Sequence, residues 1–246
     1  MTALGEPSEV ATPPPTTIAQ VMPTIYDCTV DADLLTGMRL ARQAISRGEL
    51  VVLPTDTVYG LAADAFDSAA VQRLLDAKGR TRQSPPPVLV KGPETLAALT
   101  ESVPDLIQPL LDEFWPGGLT VILRAQASLA WDLGETRGTV ALRQPSNRLV
   151  LELLEETGPL AVSSANLTGK PAALTAAEAA QMLGESVEVY LDGGQAGLGY
   201  ERRPGANSGS TIIDATAADE GVLRIVRHGV ISDDDIRRVA GSDVVV

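Results

Sequence analysis

The chain has 246 residues, 44% of them hydrophobic, a formal net charge of -13 and a single cysteine, Cys28. That length and apolar content support a sizeable core in one large domain or two small ones; one cysteine excludes an internal disulfide or a cysteine-rich metal site. The acidic balance argues against broad affinity for nucleic acid, which depends on basic side chains neutralising phosphates. No apolar run approaches the roughly 20 residues of a membrane span, and the first residues lack the basic start and apolar region of a signal peptide, so the expected compartment is the cytoplasm.

Residues 1–24 contain Pro13-Pro14-Pro15 and no apolar period. They read as a flexible leader to a single domain over 25–246. Leu34, Leu35, Met38, Ala41 and Ile45 keep helical spacing, and Gly48 is a suitable terminator. Leu50-Val51-Val52-Leu53 is an apolar run of strand length stopped by Pro54. Thr55-Asp56-Thr57-Val58-Tyr59-Gly60-Leu61 is expected to lead the chain away from that sheet edge, where α/β proteins build sites. A helix capped by Asp67 or Ser68, with Val71, Leu74 and Leu75 inward, delivers Lys78-Gly79-Arg80-Thr81-Arg82 just past its C-terminus. One ammonium and two guanidinium forks suit phosphate.

Ser84-Pro85-Pro86-Pro87 leads into a strand at Val88-Leu89-Val90, and two helical patterns over 93–99 and 104–114 end at Trp115-Pro116-Gly117-Gly118. Strands follow at 119–123 and 139–143, the second ending on Arg143, a candidate carboxylate ligand or surface ion-pair partner. Ser146 or Asn147 opens a helix to Thr157. A strand at 160–162 runs into Ser163-Ser164-Ala165-Asn166, whose hydroxyls, amide and backbone N–H groups suit an anion. A helix over 175–183 and a strand over 187–191 precede Asp192-Gly193-Gly194, a glycine-rich connection without P-loop spacing. The last strands, at 210–214 and 222–226, lead to Arg227-His228-Gly229 and a helix over 232–240. The alternation predicts one α/β domain with a mixed sheet.

His228 is the only histidine. With no G-x-S-x-G turn, no Rossmann fingerprint and one His and one Cys, hydrolase triads, dinucleotide binding and zinc are disfavoured. Cations and hydroxyls at successive strand ends remain, parts suited to positioning phosphates and neutralising charge in nucleotidyl transfer.

Taken together, Pro54-Thr55-Asp56-Thr57-Val58-Tyr59-Gly60-Leu61, Lys78-Gly79-Arg80, Phe114-Trp115-Pro116-Gly117, Val140-Ala141-Leu142-Arg143, Ser164-Ala165-Asn166, Ser210-Thr211-Ile212-Ile213 and the Arg227 turn resemble the YrdC-like family of threonylcarbamoyl-AMP synthases, in order over about 34–240. The resemblance implies a twisted α/β domain around a concave, locally basic cavity. It also implies an activity: L-threonine, bicarbonate and ATP become threonylcarbamoyl-AMP and pyrophosphate, the first step of threonylcarbamoyladenosine formation in tRNA.

Carried over, it assigns catalysis to Lys78 and Arg80. ATP falls to these two with Ser84, Thr139, Ser164, Asn166 and Arg227, and threonine to Thr57, Arg143 and Ser210. Mg2+ is expected to arrive with ATP, since no Asp/Glu cluster forms a protein cage. The implied partners are a downstream tRNA-modifying transferase complex, with no membrane and no stable nucleic-acid binding. Ser84, Leu89, Pro86 and His228 stand where relatives often carry Asn, His, Leu and Pro. The segment Tyr200-Glu201-Arg202-Arg203-Pro204-Gly205-Ala206-Asn207 is longer and more basic than usual, and the chain reads as the form without an extra C-terminal domain. Two alternatives stand beside this reading: carbamoyl-adenylate chemistry on another acceptor, and a noncatalytic RNA-binding module.

Overall fold

In the computed structural model, which describes residues 23–246, the helices are α1 (Asp31–Ser46), α2 (Ser68–Ala77), α3 (Leu96–Leu99), α4 (Gln108–Phe114), α5 (Arg148–Thr157), α6 (Ala176–Leu183) and α7 (Asp233–Ala240). The first five strands are β1 (Ile25–Asp27), β2 (Val51–Leu53), β3 (Gly60–Asp64), β4 (Val88–Leu89) and β5 (Leu119–Arg124). The others are β6 (Thr139–Arg143), β7 (Leu160–Ser164), β8 (Val189–Asp192), β9 (Thr211–Asp214) and β10 (Arg224–Arg227). They form one open mixed sheet in the order β1-β8-β2-β3-β7-β4-β6-β5-β9-β10. The leader expected over 1–24 lies almost wholly outside the described residues.

Two helix starts follow local chemistry. Asp67 caps α2 by accepting from the N–H groups of Ala69 and Ala70, and Asn147 caps α5 by accepting from Leu149 and Val150. Each side chain satisfies amides that the helix itself leaves without partners. The α1 stop is Gly48, whose φ of 73° is left-handed backbone that a Cβ would penalise. Alternation along β2 sorts the core. Val51 and Leu53 join Met38, Ile45, Val150 and Leu153 of α1 and α5, while Leu50 and Val52 join Leu74, Ala179 and Ala180 of α2 and α6. A third cluster lies under α3, α4 and α7. β2 is therefore buried on both faces, as its unbroken apolar run requires.

The stretch after Pro54 corrects an expectation. Instead of leaving the sheet, the chain turns at 54–59 and re-enters as β3, antiparallel to both β2 and β7. Gly60 permits this: a Cβ there would stand 2.6 Å from Cγ1 of Val162. Gly60-Leu61-Ala62-Ala63 is small and weakly patterned, so its strand character comes from two flanking partners rather than propensity. β1 was likewise not expected; it pairs in parallel with β8 at the sheet edge.

Candidate active site

The sheet register gathers the sequence motifs at one edge. Gly60 pairs with Ser164, Leu89 with Arg143 and Leu119 with Thr211. The turn before β3, the exits of β7 and β6, the entry to β9 and the end of β10 therefore meet around one cavity of about 550 Å3. Its lining includes Arg80, Arg143, Lys170, Arg202 and Arg227 and, among the described residues, no carboxylate. In a chain of net charge -13 this is a local reversal of sign.

Lys78, at the end of α2, is 1% exposed and lies beneath the cavity floor rather than in its lining. Its Nζ donates to the carbonyl of Asn166 at 2.6 Å and to that of Ser164. Burial, then the charge of Arg80, draws its pKa down to about 7, because no carboxylate compensates the ammonium. Arg80 Nη1 donates to Ser163 Oγ at 3.2 Å. Arg227 donates through Nε to the Ser210 carbonyl and through Nη2 to Ser210 Oγ, at 2.9 and 2.8 Å. Burial, followed by Arg143 and Arg80, lowers the Arg227 pKa to about 10. The side-chain amide of Asn166 donates to the carbonyls of Leu167 and Lys170, while its buried Oδ1 has no protein partner. Asn166 thus closes the turn and keeps an acceptor unspent.

Arg143 is treated differently. Its Nε donates to the Gly117 carbonyl at 2.8 Å, and Nη1 donates to Thr57 Oγ1 at 3.0 Å. Nη2 is 2.8 Å from Asp56 Oδ2. That contact is an ion pair misaligned for a hydrogen bond, so Nη2 remains without an acceptor in line. Thr57 shares a 3.1 Å hydroxyl contact with Thr55, and Ser210 shares one of 2.7 Å with Thr120. Thr57 is 1% exposed and Ser210 3%, so both hydroxyls are fixed rather than free to rotate into solvent.

Of the residues assigned from the sequence, Thr57, Arg80, Arg143, Ser164, Asn166, Ser210 and Arg227 line the cavity, and Lys78 underlies it. Ser84 and Thr139 are outside the lining: Ser84 is exposed, and Thr139 Oγ1 donates to the Thr136 carbonyl at 2.8 Å. Sequence reasoning missed Asp56 as the partner of Arg143; a buried arginine's need for a counter-charge was the available signal. It also missed two tyrosines that tie down the connection after β8. Tyr59 donates its hydroxyl to the Gly194 carbonyl and stands 3.0 Å from Asp192 Oδ1, while accepting from Gly193 N–H. Tyr200 donates to Asp56 Oδ2 at 3.1 Å. The connection after β8 is thus fastened twice.

A family model named Sua5_yciO_yrdC and described as "Telomere recombination" matches residues 43–229. A Mycobacterium tuberculosis (strain ATCC 25618 / H37Rv) protein provisionally named a threonylcarbamoyl-AMP synthase is 45% identical over 218 residues, 89% of this chain and 95% of that protein. A Pyrococcus abyssi threonylcarbamoyl-AMP synthase is 35% identical over 205 residues, 83% of this chain but 57% of that longer protein. The P. abyssi Sua5 structure complexed with L-threonine superposes with a TM-score of 0.74 at 33% identity, over 85% of this chain and 58% of that one. With the matched region spanning the whole cavity from Thr55 to Arg227, the chain belongs to the Sua5/YciO/YrdC family.

Proposed function

We propose that this protein is an L-threonylcarbamoyladenylate synthase, and the observation that carries the proposal is the cationic cavity with no lining carboxylate at the edge where the family's motifs converge. The threonine amine attacks the carbon of bicarbonate. Water leaves and a carbamate forms. A carbamate oxygen then attacks the α-phosphorus of ATP, the bond to the bridging oxygen breaks, and pyrophosphate departs with that electron pair. Positioning and charge neutralisation supply the catalysis.

Arg80 and Arg227 take the phosphates with the Ser164 hydroxyl, while the free Oδ1 of Asn166, an acceptor, serves a donor group of the nucleotide or the Mg2+ that accompanies it. Lys78 acts from below by fixing the two carbonyls of that turn. Arg143, which lines the cavity with its fork fixed by Asp56 and Thr57, takes the threonine carboxylate, with Thr57 and Ser210 reading the polar atoms. Ser84 and Thr139 come into play only where the bound nucleotide extends beyond the lining described above. Mg2+ enters with ATP, as the cavity offers it hydroxyl and amide oxygens but no carboxylate cage. The adenylate passes to a tRNA-modifying transferase in the cytoplasm; none of the described helices is long and apolar enough to cross a membrane.

The test is pyrophosphate release from ATP and bicarbonate with L-threonine, L-serine or no amino acid, with Arg143→Ala as control. Threonine-dependent release that disappears in the variant is expected. Equal release with serine would move the assignment to another acceptor, and no release with any amino acid would remove the synthase reading.

A further inference from the structure

The loop between β8 and β9 separates two spaces. Residues Arg202, Ala206, Asn207 and Ser208 line both the main cavity and a neighbouring one of about 270 Å3, which Tyr200 and Thr57 also border. Of the five cations in the main lining, Arg80, Arg143 and Arg227 have donors committed to protein acceptors. Arg202 and Lys170 have no side-chain hydrogen bond or ion pair among the described residues. Only Arg202 of these two stands on both cavities, and two residues before it the loop is anchored.

That anchor is Tyr200. Its hydroxyl meets the same Asp56 oxygen that faces Arg143, and its ring sits where a Cβ on Gly118 would come within 3.0 Å of the hydroxyl. Burial, then the Asp56 carboxylate, pushes the Tyr200 pKa up to about 12, which keeps the hydroxyl protonated as a donor. A surface-exposed arginine on an untethered loop would bind a polyanion only after an ordering cost. Fastening Tyr200 removes part of that cost.

We propose that Arg202 is a polyphosphate-binding residue of the cavity, presented to it by a loop that Tyr200 fastens to Asp56. The inference rests on the reading of the cavity as a nucleotide site. It adds a residue from a different segment of the chain, and it couples that residue to the pair that holds Arg143. A guanidinium with five free N–H donors is well matched to adjacent phosphoryl oxygens.

The test is calorimetric titration of the full chain with inorganic tripolyphosphate and, separately, with AMP. Arg202→Ala is expected to weaken tripolyphosphate binding roughly tenfold or more, Arg202→Lys to recover part of it, and AMP binding to change less than about twofold in either variant. Tyr200→Phe is expected to weaken tripolyphosphate binding when Arg202 is present and to add nothing in the Arg202→Ala background. Tripolyphosphate binding by Arg202→Ala equal to that of the unmodified chain overturns the role of Arg202. A Tyr200→Phe loss that persists undiminished without Arg202 overturns the fastening. Failure of the unmodified chain to bind tripolyphosphate, AMP or ATP overturns the nucleotide reading and this role with it.

Discussion

Two buried cations, one beneath this cavity and one in its wall, are held by opposite means. Lys78, under the β7 exit, is held by two backbone carbonyls and has no counter-charge, whereas Arg143, at the end of β6, faces the Asp56 carboxylate. Arg80 and Arg227 follow the Lys78 pattern, with neutral serine oxygens as partners. The difference matches the proposed cargo. A polyphosphate carries several charges and needs cations whose field is not already cancelled, while an amino-acid carboxylate carries one and needs orientation more than net charge. Asp56 costs the site some positive potential but fixes the arginine fork, and neutral partners at the other end leave the positive field intact.

The largest expected effect comes from breaking the paired side. Arg143→Ala strands a nearly buried Asp56 carboxylate and should cost about 3–5 kcal/mol of stability while removing threonine-dependent turnover. Urea unfolding and pyrophosphate release measure the two consequences separately. A variant as stable as the parent would show that the Asp56 contact carries no structural weight.

The unpaired side is probed by pH. Lys78 has a folded pKa near 7 against an ordinary value of 10.5. Between those values the unfolded chain holds a proton that the folded chain releases, so stability should rise with pH across the window and be flat, as far as this group is concerned, on either side. Urea unfolding at steps across the window should give a steeper rise for the parent than for Lys78→Met. Identical slopes would place a counter-charge beside Lys78.

A smaller effect separates the two substrates. Thr57→Val removes the hydroxyl that accepts from Arg143 Nη1, at a cost of about 1 kcal/mol or several-fold in the threonine KM, with the ATP KM unchanged. A shift in both KM values would merge the two ends into one site. The smallest effect lies outside the cavity: Asn147→Ala loses the α5 cap, about 1 kcal/mol of stability, and should leave both KM values as they were.

Much of the fold was legible because local chemistry and pattern agreed. The Asp67 and Asn147 caps, the apolar run at β2 and the periodic faces of α1 and α2 each carry their signal within a few residues. β3 carried none, since its Gly-Leu-Ala-Ala segment becomes a strand only between β2 and β7. The site divides in the same way. Residue types at strand ends suggested a cationic anion site, and the family resemblance assigned Thr57, Lys78, Arg80, Ser84, Thr139, Arg143, Ser164, Asn166, Ser210 and Arg227 to it, of which Ser84 and Thr139 lie outside the lining. The sequence by itself therefore determined which groups stand at strand ends and helix ends, because strand ends and caps are local properties. Only the tertiary structure decided that Lys78 works from beneath the floor, that Asp56 holds Arg143 and that Tyr200 returns a distant loop to it, because each depends on burial and on contacts between segments tens of residues apart, where the lack of water gives an unpaired charge its cost.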